Sequence, residues 1–442
     1  MIKFLGHLLL LPALTLAASP KGTPKVLIVS IDGLRPDYVL EADRFGLKIP
    51  ELRRLLLEGT YAKHVTGVAP TLTYPSHTTL VTGVSPAKHG ILSNVYFDPE
   101  NKNRGGWQWY AEDIKVPTLW DLAEKKGLAT VSVDWPVTVG AHIRYLIPQM
   151  FRGSSPTLDD HKILKALATP GLLTEVEKKI GIYPAGYQYQ WENDKTRTEF
   201  SLYLMNTKHP SLQLAYLSSL DEEQHSSGPY SAATKATLEK IDVMIGDLRR
   251  NGEKTAGGNF IFCVVSDHGF GRVDKEIRLN VALKEAGLLK LDEKGNLSSW
   301  QAYAWGADGS SAIYLNDPRD EETRTKVDSL INKLIEDPDS GIDKAVNPST
   351  TLGFTGAHLV INARSGFAFT STYKGPMVDV RGVGGSHGYL PENPDMDAAF
   401  FIVGRNITKG KAIERIDMRD IAPTLAKIMG LSLPTAEGKT IF

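Results

Sequence analysis

The chain has 442 residues, of which 42% are hydrophobic and 23% charged. That is a globular composition with room for one large domain with insertions, or for two domains. Lys plus Arg number 50 against 51 Asp plus Glu, a formal net charge of -1, which argues against a nucleic-acid coat or a membrane-surface binder, since both carry a basic excess. Any phosphate this chain handles is held by a local device.

The chain opens MIKFLGHLLLLPALTLAASPKG. Lys3 supplies a positive start, 4–16 is mostly apolar, and Ala17 and Ala18 suit cleavage. This predicts a signal peptide over 1–18 and export to a bacterial periplasm or beyond; an uncleaved anchor is the other reading. A catalytic domain is expected over 24–442. No later stretch reads as a membrane span. Cys263 is the single cysteine, so no internal disulfide can form and cysteine-based zinc sites are excluded. Its setting, FIFCVVS, predicts a small buried apolar side chain.

Residues 26–31 form a short, β-branched apolar run that reads as a strand buried on both faces. It ends at Asp32-Gly33. Open α/β sheets place ligand-handling residues at such ends, and a plain turn-initiating Asp is the alternative. KIPELRRLLLEGTYAKHV has Ile49, Leu52, Leu55 and Leu56 at helical spacing. Next comes TLTYPSHTTLVTGVSPAKHGILSN, residues 71–94. Pro75 suits a first helical turn and Gly83 a C-cap. The Thr73 hydroxyl then sits near a helix N-terminus, where an anion is favoured and attack on phosphorus is well placed. The plainer reading makes Thr71 and Thr73 ordinary N-cap residues.

PTLWDLAEKKG reads as a helix and LATVSVDWP as a strand, so a layered α/β domain is expected. Over 137–206 the pattern loosens into an insertion beside the site, whose aromatics either pack or line a pocket. Residues 212–217 read as a buried strand running into Asp221-Glu222-Glu223-Gln224-His225. TKATLEKIDVMIGDLRRNG puts Leu238, Ile241, Ile245 and Leu248 on one helical face. NFIFCVVSDHGFG is another buried strand, ending in Asp267 and His268. A mixed excursion over 272–382 suggests a small subdomain. GVGGSHGYLPENPDMDAAFFIVG puts His387 in a glycine-rich loop before a strand, and IDMRDIAPTLAKIMGL closes with a helix.

Asp32, Thr73, Asp221, His225, Asp267, His268 and His387 all stand at strand ends or glycine-rich turns. Three Asp and three His suit two catalytic metal sites. Two metals can clamp the attacking and leaving oxygens of an in-line displacement at phosphorus, and one of them would lower the pKa of the Thr73 hydroxyl.

VSIDGLRPDY, PTLTYPSHTTLVTGVSPAKHGILSN, YLSSLDEEQHSSGP, VVSDHGF and GGSHGY, in this order, resemble the motifs of the nucleotide pyrophosphatase/phosphodiesterase (type I phosphodiesterase) family of the alkaline phosphatase superfamily. DIAPTLAKIMGL is typical of the superfamily, so the resemblance runs from Val26 to the end. It implies an α/β, alkaline phosphatase-like fold: a central, mostly parallel sheet, helices on both faces and an inserted small subdomain. It also implies two zinc ions. Asp221, His225 and His387 would bind one; Asp32, Asp267, His268 and the Thr73 oxygen would bind the other. Thr73 would attack and form a phospho-threonine intermediate that water hydrolyses. Asn94 would hydrogen-bond a non-bridging phosphate oxygen, and Tyr74 would pack against a nucleotide base. The expected substrate is a small phosphodiester or nucleotide.

Thr73 and His77 argue against a sulfatase, which carries Cys or Ser and Arg at those positions. The leader argues against a cytoplasmic mutase. A phosphomonoesterase on the same fold is the nearer alternative. It needs extra positive charge for the extra negative oxygen; Arg144 and Arg152 are candidates, with surface or salt-bridging roles the preferred reading. A catalytically silent binding protein would have lost a ligand, and none is lost.

Overall fold

The computed structural model describes residues 22–104, 106–153, 156–348 and 353–442. The expected signal peptide lies outside the described residues. Among them, no helix is long and apolar enough to cross a membrane.

Five neighbouring strands run parallel: Phe260–Val265, Lys25–Ile31, Leu212–Leu217, Thr130–Val133 and Tyr145–Ile147. Phe400–Gly404 lies antiparallel on the outer side of Phe260–Val265. Thr60–Thr66 and Lys411–Asp417 complete an eight-stranded sheet. The sheet is therefore mostly parallel, with one strand opposed.

The sheet is buried on both faces because its central strands are mostly apolar on both. Val26 and Ile28 join Ile261, Cys263 and Val265 in one core, under helices Thr73–Thr82, Leu119–Lys125 and Ile421–Ile428. Leu27, Val29 and Ile31 join Phe260, Phe262 and Val264 in the other, under helices Pro50–Glu58 and Ala232–Ala256. Side chains alternate across a strand, so one apolar run feeds two cores. On the Ala232–Ala256 helix, Leu238, Ile241, Ile245 and Leu248 are all buried, and each gains about 1.5–3 kcal/mol by leaving water.

The helical pattern read across KIPELRRLLLEGTYAKHV stops at Glu58. Gly59 has no room for a Cβ against the Ile402 carbonyl. The chain then becomes the strand Thr60–Thr66, with Ala62 and Val65 buried and Lys63 outward.

Residues 137–206 supply the sheet's edge strand Tyr145–Ile147 and the helices Asp160–Leu167, Leu172–Ile180 and Trp191–Lys208. Phe200 and Leu204 of the last helix pack with Val131, Val133 and Ile147. Residues 272–382 hold an antiparallel sheet in the order Ala302–Ala307, Ser310–Leu315, Leu359–Ala363, Ile342–Val346. Val327 and Ile331 of helix Glu321–Glu336 share a core with its Ile313 and Ile361. A three-stranded sheet of Gly366–Phe369, Gly271–Ile277 and Val378–Ser386 brings the chain back to the main body. There Gly309 N–H donates to the His387 carbonyl at 2.7 Å. Gly388 has φ +82°, and a Cβ on it would collide with the Ala307 carbonyl. The subdomain thus closes directly onto the His387 loop.

Candidate active site

Three parallel strands deliver carboxylates to one edge of the sheet. Asp32 follows Lys25–Ile31, Asp267 follows Phe260–Val265, and Asp221 lies in the first turn of helix Ser219–Ser227, just past Leu212–Leu217. The Asp32 N–H donates to the Leu217 carbonyl at 2.9 Å, and the Gly33 N–H to Asp267 Oδ1 at 3.2 Å. Those bonds set the three strand ends side by side.

His268 Nε2 lies 3.4 Å from Asp32 Oδ1 and 3.2 Å from Asp267 Oδ2. His387 Nε2 lies 3.7 Å from Asp221 Oδ1, and His225 Nε2 lies 3.4 Å from Asp221 Oδ2. The His268 and His387 rings stack at 3.6 Å between centroids, and His225 lies 5.1 Å from His387. Two groups of possible ligands have atoms all within 4.8 Å of one another: Asp32, Asp267 and His268, and Asp221, His268 and His387. His268 stands in both, while His225 approaches through Asp221. All six side chains are in one cluster.

Each imidazole has its other nitrogen occupied by a backbone carbonyl: His268 by Gly269 at 3.0 Å, His387 by Thr71 at 2.9 Å and His225 by Gly385 at 3.1 Å. An Nδ1–H donated in this way leaves the Nε2 lone pair facing the cluster, as in metal-ligating histidines. Asp32 Oδ1, Asp221 Oδ1, Asp267 Oδ2 and His268 Nε2 are buried with no hydrogen-bond partner. A buried polar atom without a partner costs roughly 1–3 kcal/mol, and here four of them converge. Cations held in the two groups would supply partners for all four. Oxygen and imidazole donors without thiolate fit catalytic zinc.

Burial dominates the proton equilibria. It raises the carboxyls of Asp32, Asp221 and Asp267, and neighbouring carboxylates push the last two further. Burial lowers His387 to about 4 and takes His268 well below the ordinary imidazole range. Burial, which also lowers His225, thus favours the neutral imidazole that metal ligation requires.

Thr73 is the first residue of the buried helix Thr73–Thr82, which ends at Gly83 in the left-handed conformation. Leu72 caps it without a side-chain bond, so Thr73 is not an N-cap residue. His77 is buried one turn on. Its ring bonds the Thr73 carbonyl at 2.8 Å and Ser30 Oγ at 2.9 Å, and stands edge-on to Trp135 and Tyr216. Burial lowers it to about 3, so it acts as a neutral brace between this helix and the Lys25–Ile31 strand. Asn94 Oδ1 accepts the Tyr74 N–H at 2.9 Å, which leaves the Asn94 amide NH2 as its donor. Tyr74 is buried, its hydroxyl on Gln149 Oε1 at 2.7 Å and its ring edge-on to Trp107 at 5.2 Å.

A cavity of about 330 Å³ opens over the cluster, lined by Asp32, Thr73, Tyr74, Asn94, Asp221, His225 and His387. Trp107, Gln149, Tyr187, Tyr189, Tyr216, Ser218, Glu222 and Asp308 complete the lining. Sequence reasoning singled out none of these as a site residue. Glu222 was visible inside DEEQH and the two tyrosines inside GYQYQWEND, but Asp308 sits in a hairpin turn of the subdomain with no motif around it. Arg144 and Arg152 stand outside the lining; Arg144 pairs with Glu124 at 2.9 Å and Arg152 with Asp160 at 3.4 Å.

A buried ion-pair network supports this wall. Arg197 lies 3.0 Å from Asp194 Oδ1 and 2.8 Å from Asp134 Oδ2, and its guanidinium sits 5.6 Å from the Tyr189 ring centre. Asp194 Oδ2 also accepts the Ser219 N–H at 2.8 Å. It thereby anchors the start of the helix that carries Asp221 and His225.

The sequence profile of the family described as type I phosphodiesterase / nucleotide pyrophosphatase matches residues 26–390. Ectonucleotide pyrophosphatase/phosphodiesterase family member 1 of Homo sapiens is 29% identical over 286 residues, 61% of this chain and 26% of that protein. Family member 5 of Homo sapiens is 24% identical over 452 residues, 97% of this chain and 80% of that protein. The chain thus spans about a quarter of the length of family member 1. Among solved structures, human ectonucleotide pyrophosphatase/phosphodiesterase 5 aligns with a TM-score of 0.66 at 20% identity, over 94% of this chain and 97% of that one. An inactive threonine-to-alanine form of the murine protein, in complex with AMP, aligns equally well at 19% identity. These structures share the alkaline phosphatase-like fold described above, and with the profile matched over most of its length the chain belongs to the type I phosphodiesterase / nucleotide pyrophosphatase family.

Proposed function

We propose that this chain is an exported hydrolase that cleaves phosphodiester or pyrophosphate bonds of small molecules, nucleotide-type substrates among them, with Thr73 as nucleophile. One observation carries the reading: four partnerless buried ligand atoms converge in the cluster beneath a cavity that Thr73 also lines. Asp221, His225 and His387 would hold one zinc ion, and Asp32, Asp267, His268 and Thr73 the other. When bound, two such ions supply Lewis acidity to the attacking and leaving oxygens of an in-line displacement.

The chain's own groups do the rest. Thr73 Oγ1 forms a bond to phosphorus as the bond to the leaving oxygen breaks. The Asn94 amide donates to a non-bridging oxygen, and its own oxygen stays tied to the Tyr74 N–H. The start of the Thr73–Thr82 helix faces the phosphoryl group with its positive end. Water then attacks the same phosphorus, the threonine ester breaks and the hydroxyl is restored. The inactivity of the murine threonine-to-alanine form supports the threonine's role here. The lining described holds no lysine or arginine, which favours a diester over a monoester, since the monoester brings one more negative oxygen. Zinc-loaded protein should turn over bis-p-nitrophenyl phosphate faster than p-nitrophenyl phosphate. The reverse order would assign a phosphomonoesterase, and no turnover of either would remove the hydrolase reading.

A further inference from the structure

Asn94 stands at the foot of a loop whose far side grips the subdomain. The chain leaves the cavity at Asn94 and returns at Trp107, and both residues line it. The two feet are stitched together: Val95 and Trp107 form an antiparallel bridge, and the Gln108 N–H donates to the Asn94 carbonyl at 2.9 Å. Beyond the feet, the Phe97 ring stacks on Tyr314 at 4.3 Å between centroids. It lies 5.5 Å from Trp305 and 6.1 Å from both Tyr303 and Trp300. Tyr303 and Tyr314 face each other across the hairpin of strands Ala302–Ala307 and Ser310–Leu315, so Phe97 caps a cross-strand aromatic pair. Beside that ring the seam is loose. A crevice of about 130 Å³ is lined by Val95, Tyr96 and Asp98 on the loop and by Tyr303, Trp305 and Ser371 on the subdomain.

The hairpin is the fixed partner in this contact. The Asn280 amide donates to the Ala304 carbonyl and accepts the Ala304 N–H, both at 2.8 Å. The Gly309 N–H holds the hairpin turn on the His387 carbonyl, and Ser310–Leu315 pairs on its other side with Leu359–Ala363. The loop tip bonds largely to itself: Asp98 accepts the N–H groups of Lys102 and Asn103 at 2.8 and 2.5 Å. Tyr96 adds one tether, its hydroxyl on Asp113 at 2.5 Å. Loosening the aromatic contact therefore moves the loop and not the hairpin, and the loop starts at Asn94.

We propose that Phe97 is a positioning residue for Asn94: its ring fastens the Asn94 loop to the subdomain and so holds the Asn94 amide against the phosphoryl oxygen. This rests on the hydrolase reading and deepens it. A donor aimed at developing charge loses its effect when displaced by about 1 Å. The test is a double-mutant cycle on zinc-loaded protein with bis-p-nitrophenyl phosphate. Asn94→Ala should lower kcat by on the order of a hundredfold. Phe97→Ala should lower kcat by about tenfold, with KM changed little. In the Asn94→Ala background Phe97→Ala should cost less than about twofold, because the group it positions is gone. Phe97→Tyr keeps the ring and should restore most of the rate. Phe97→Leu removes the ring stacking but keeps apolar bulk, and serves in the same cycle should Phe97→Ala fail to fold. Hydrogen exchange reads the fastening without turnover: the Lys102 and Asn103 amides should exchange faster in Phe97→Ala than in wild type. The same loss of kcat in both backgrounds would make Phe97 a merely structural residue, and an unchanged kcat would mean that Asn94 needs no such fastening; either overturns the inference. No turnover of bis-p-nitrophenyl phosphate by wild type would instead bring down the hydrolase reading, and this inference with it.

Discussion

Asp194→Ala tests how the site is held. The Asp194 carboxylate is fully buried, and each of its oxygens has its own partner. Oδ1 pairs with Arg197 at 3.0 Å, and Oδ2 accepts the Ser219 N–H at 2.8 Å. Arg197 is itself 2% exposed and would keep only Asp134 as an anionic partner. Breaking a buried ion pair from one side costs about 3–5 kcal/mol. The remaining Asp134 contact argues for the lower end. The orphaned Ser219 N–H adds roughly 1–3 kcal/mol, so a loss of about 4 kcal/mol is expected. Asp194→Asn keeps the shape and an acceptor oxygen but loses the charge, and should cost about 1.5–3 kcal/mol. Urea unfolding, followed by tryptophan fluorescence and extrapolated linearly, measures both. The freed helix carries Asp221 and His225, so zinc content should also fall in the folded Asp194→Ala protein. A loss under about 1 kcal/mol with full zinc content would refute the claim that this network positions the ligand helix.

Thr73→Ala should lower kcat/KM for bis-p-nitrophenyl phosphate by on the order of a thousandfold or more, as loss of a nucleophile does. Thr73→Ser keeps the hydroxyl and should retain measurable turnover, so equal rates in both variants would contradict a nucleophilic Thr73. Because burial and neighbouring carboxylates raise Asp221 and Asp267, the metal-free site holds protons that zinc must displace. Titration calorimetry in buffers of different ionisation enthalpy should report net proton release on zinc binding; a heat independent of buffer would count against the ligand assignment. Asp242 accepts the N–H groups of Glu51 and Leu52 at the start of helix Pro50–Glu58, and burial raises it from the usual 3.8 to about 6. A raised carboxyl means that the folded state binds a proton which the unfolded state lacks between about pH 4 and 6. Its favourable contribution is therefore full below about pH 4 and lost as pH rises through about 6. Asp242→Asn should flatten that part of the stability–pH curve, and an unchanged slope would refute the assignment.

The site was legible where local pattern determines position. Asp32 and Asp267 stop buried apolar runs, and a parallel strand in an open sheet leaves its end at the ligand edge. Asp221 and His225 read as following a buried strand, and the structure sets them four apart on helix Ser219–Ser227, hence on one face. The Leu238, Ile241, Ile245 and Leu248 stripe was read for the same reason. Other features depend on tertiary docking. Asp308 reaches the cavity only because the Ala302–Ala307 and Ser310–Leu315 hairpin turns against the His387 loop. Tyr187 and Tyr189 come from a stretch with no periodicity, and nothing in it separates a lining tyrosine from the packed Tyr183. The Thr60–Thr66 strand was hidden because Lys63 and His64 interrupt its apolar pattern directly after a strong helix. His268 lies within reach of both ligand groups, a sharing that adjacency to Asp267 in the sequence does not reveal.

The central claim is that phosphorus passes through a covalent bond to Thr73. The stereochemical course of hydrolysis of a chiral phosphorothioate diester in isotopically labelled water reads this directly. Two successive in-line displacements, first by Thr73 and then by water, give net retention at phosphorus. Net inversion would mean that water attacks in a single step, and the proposed role of Thr73 would fall.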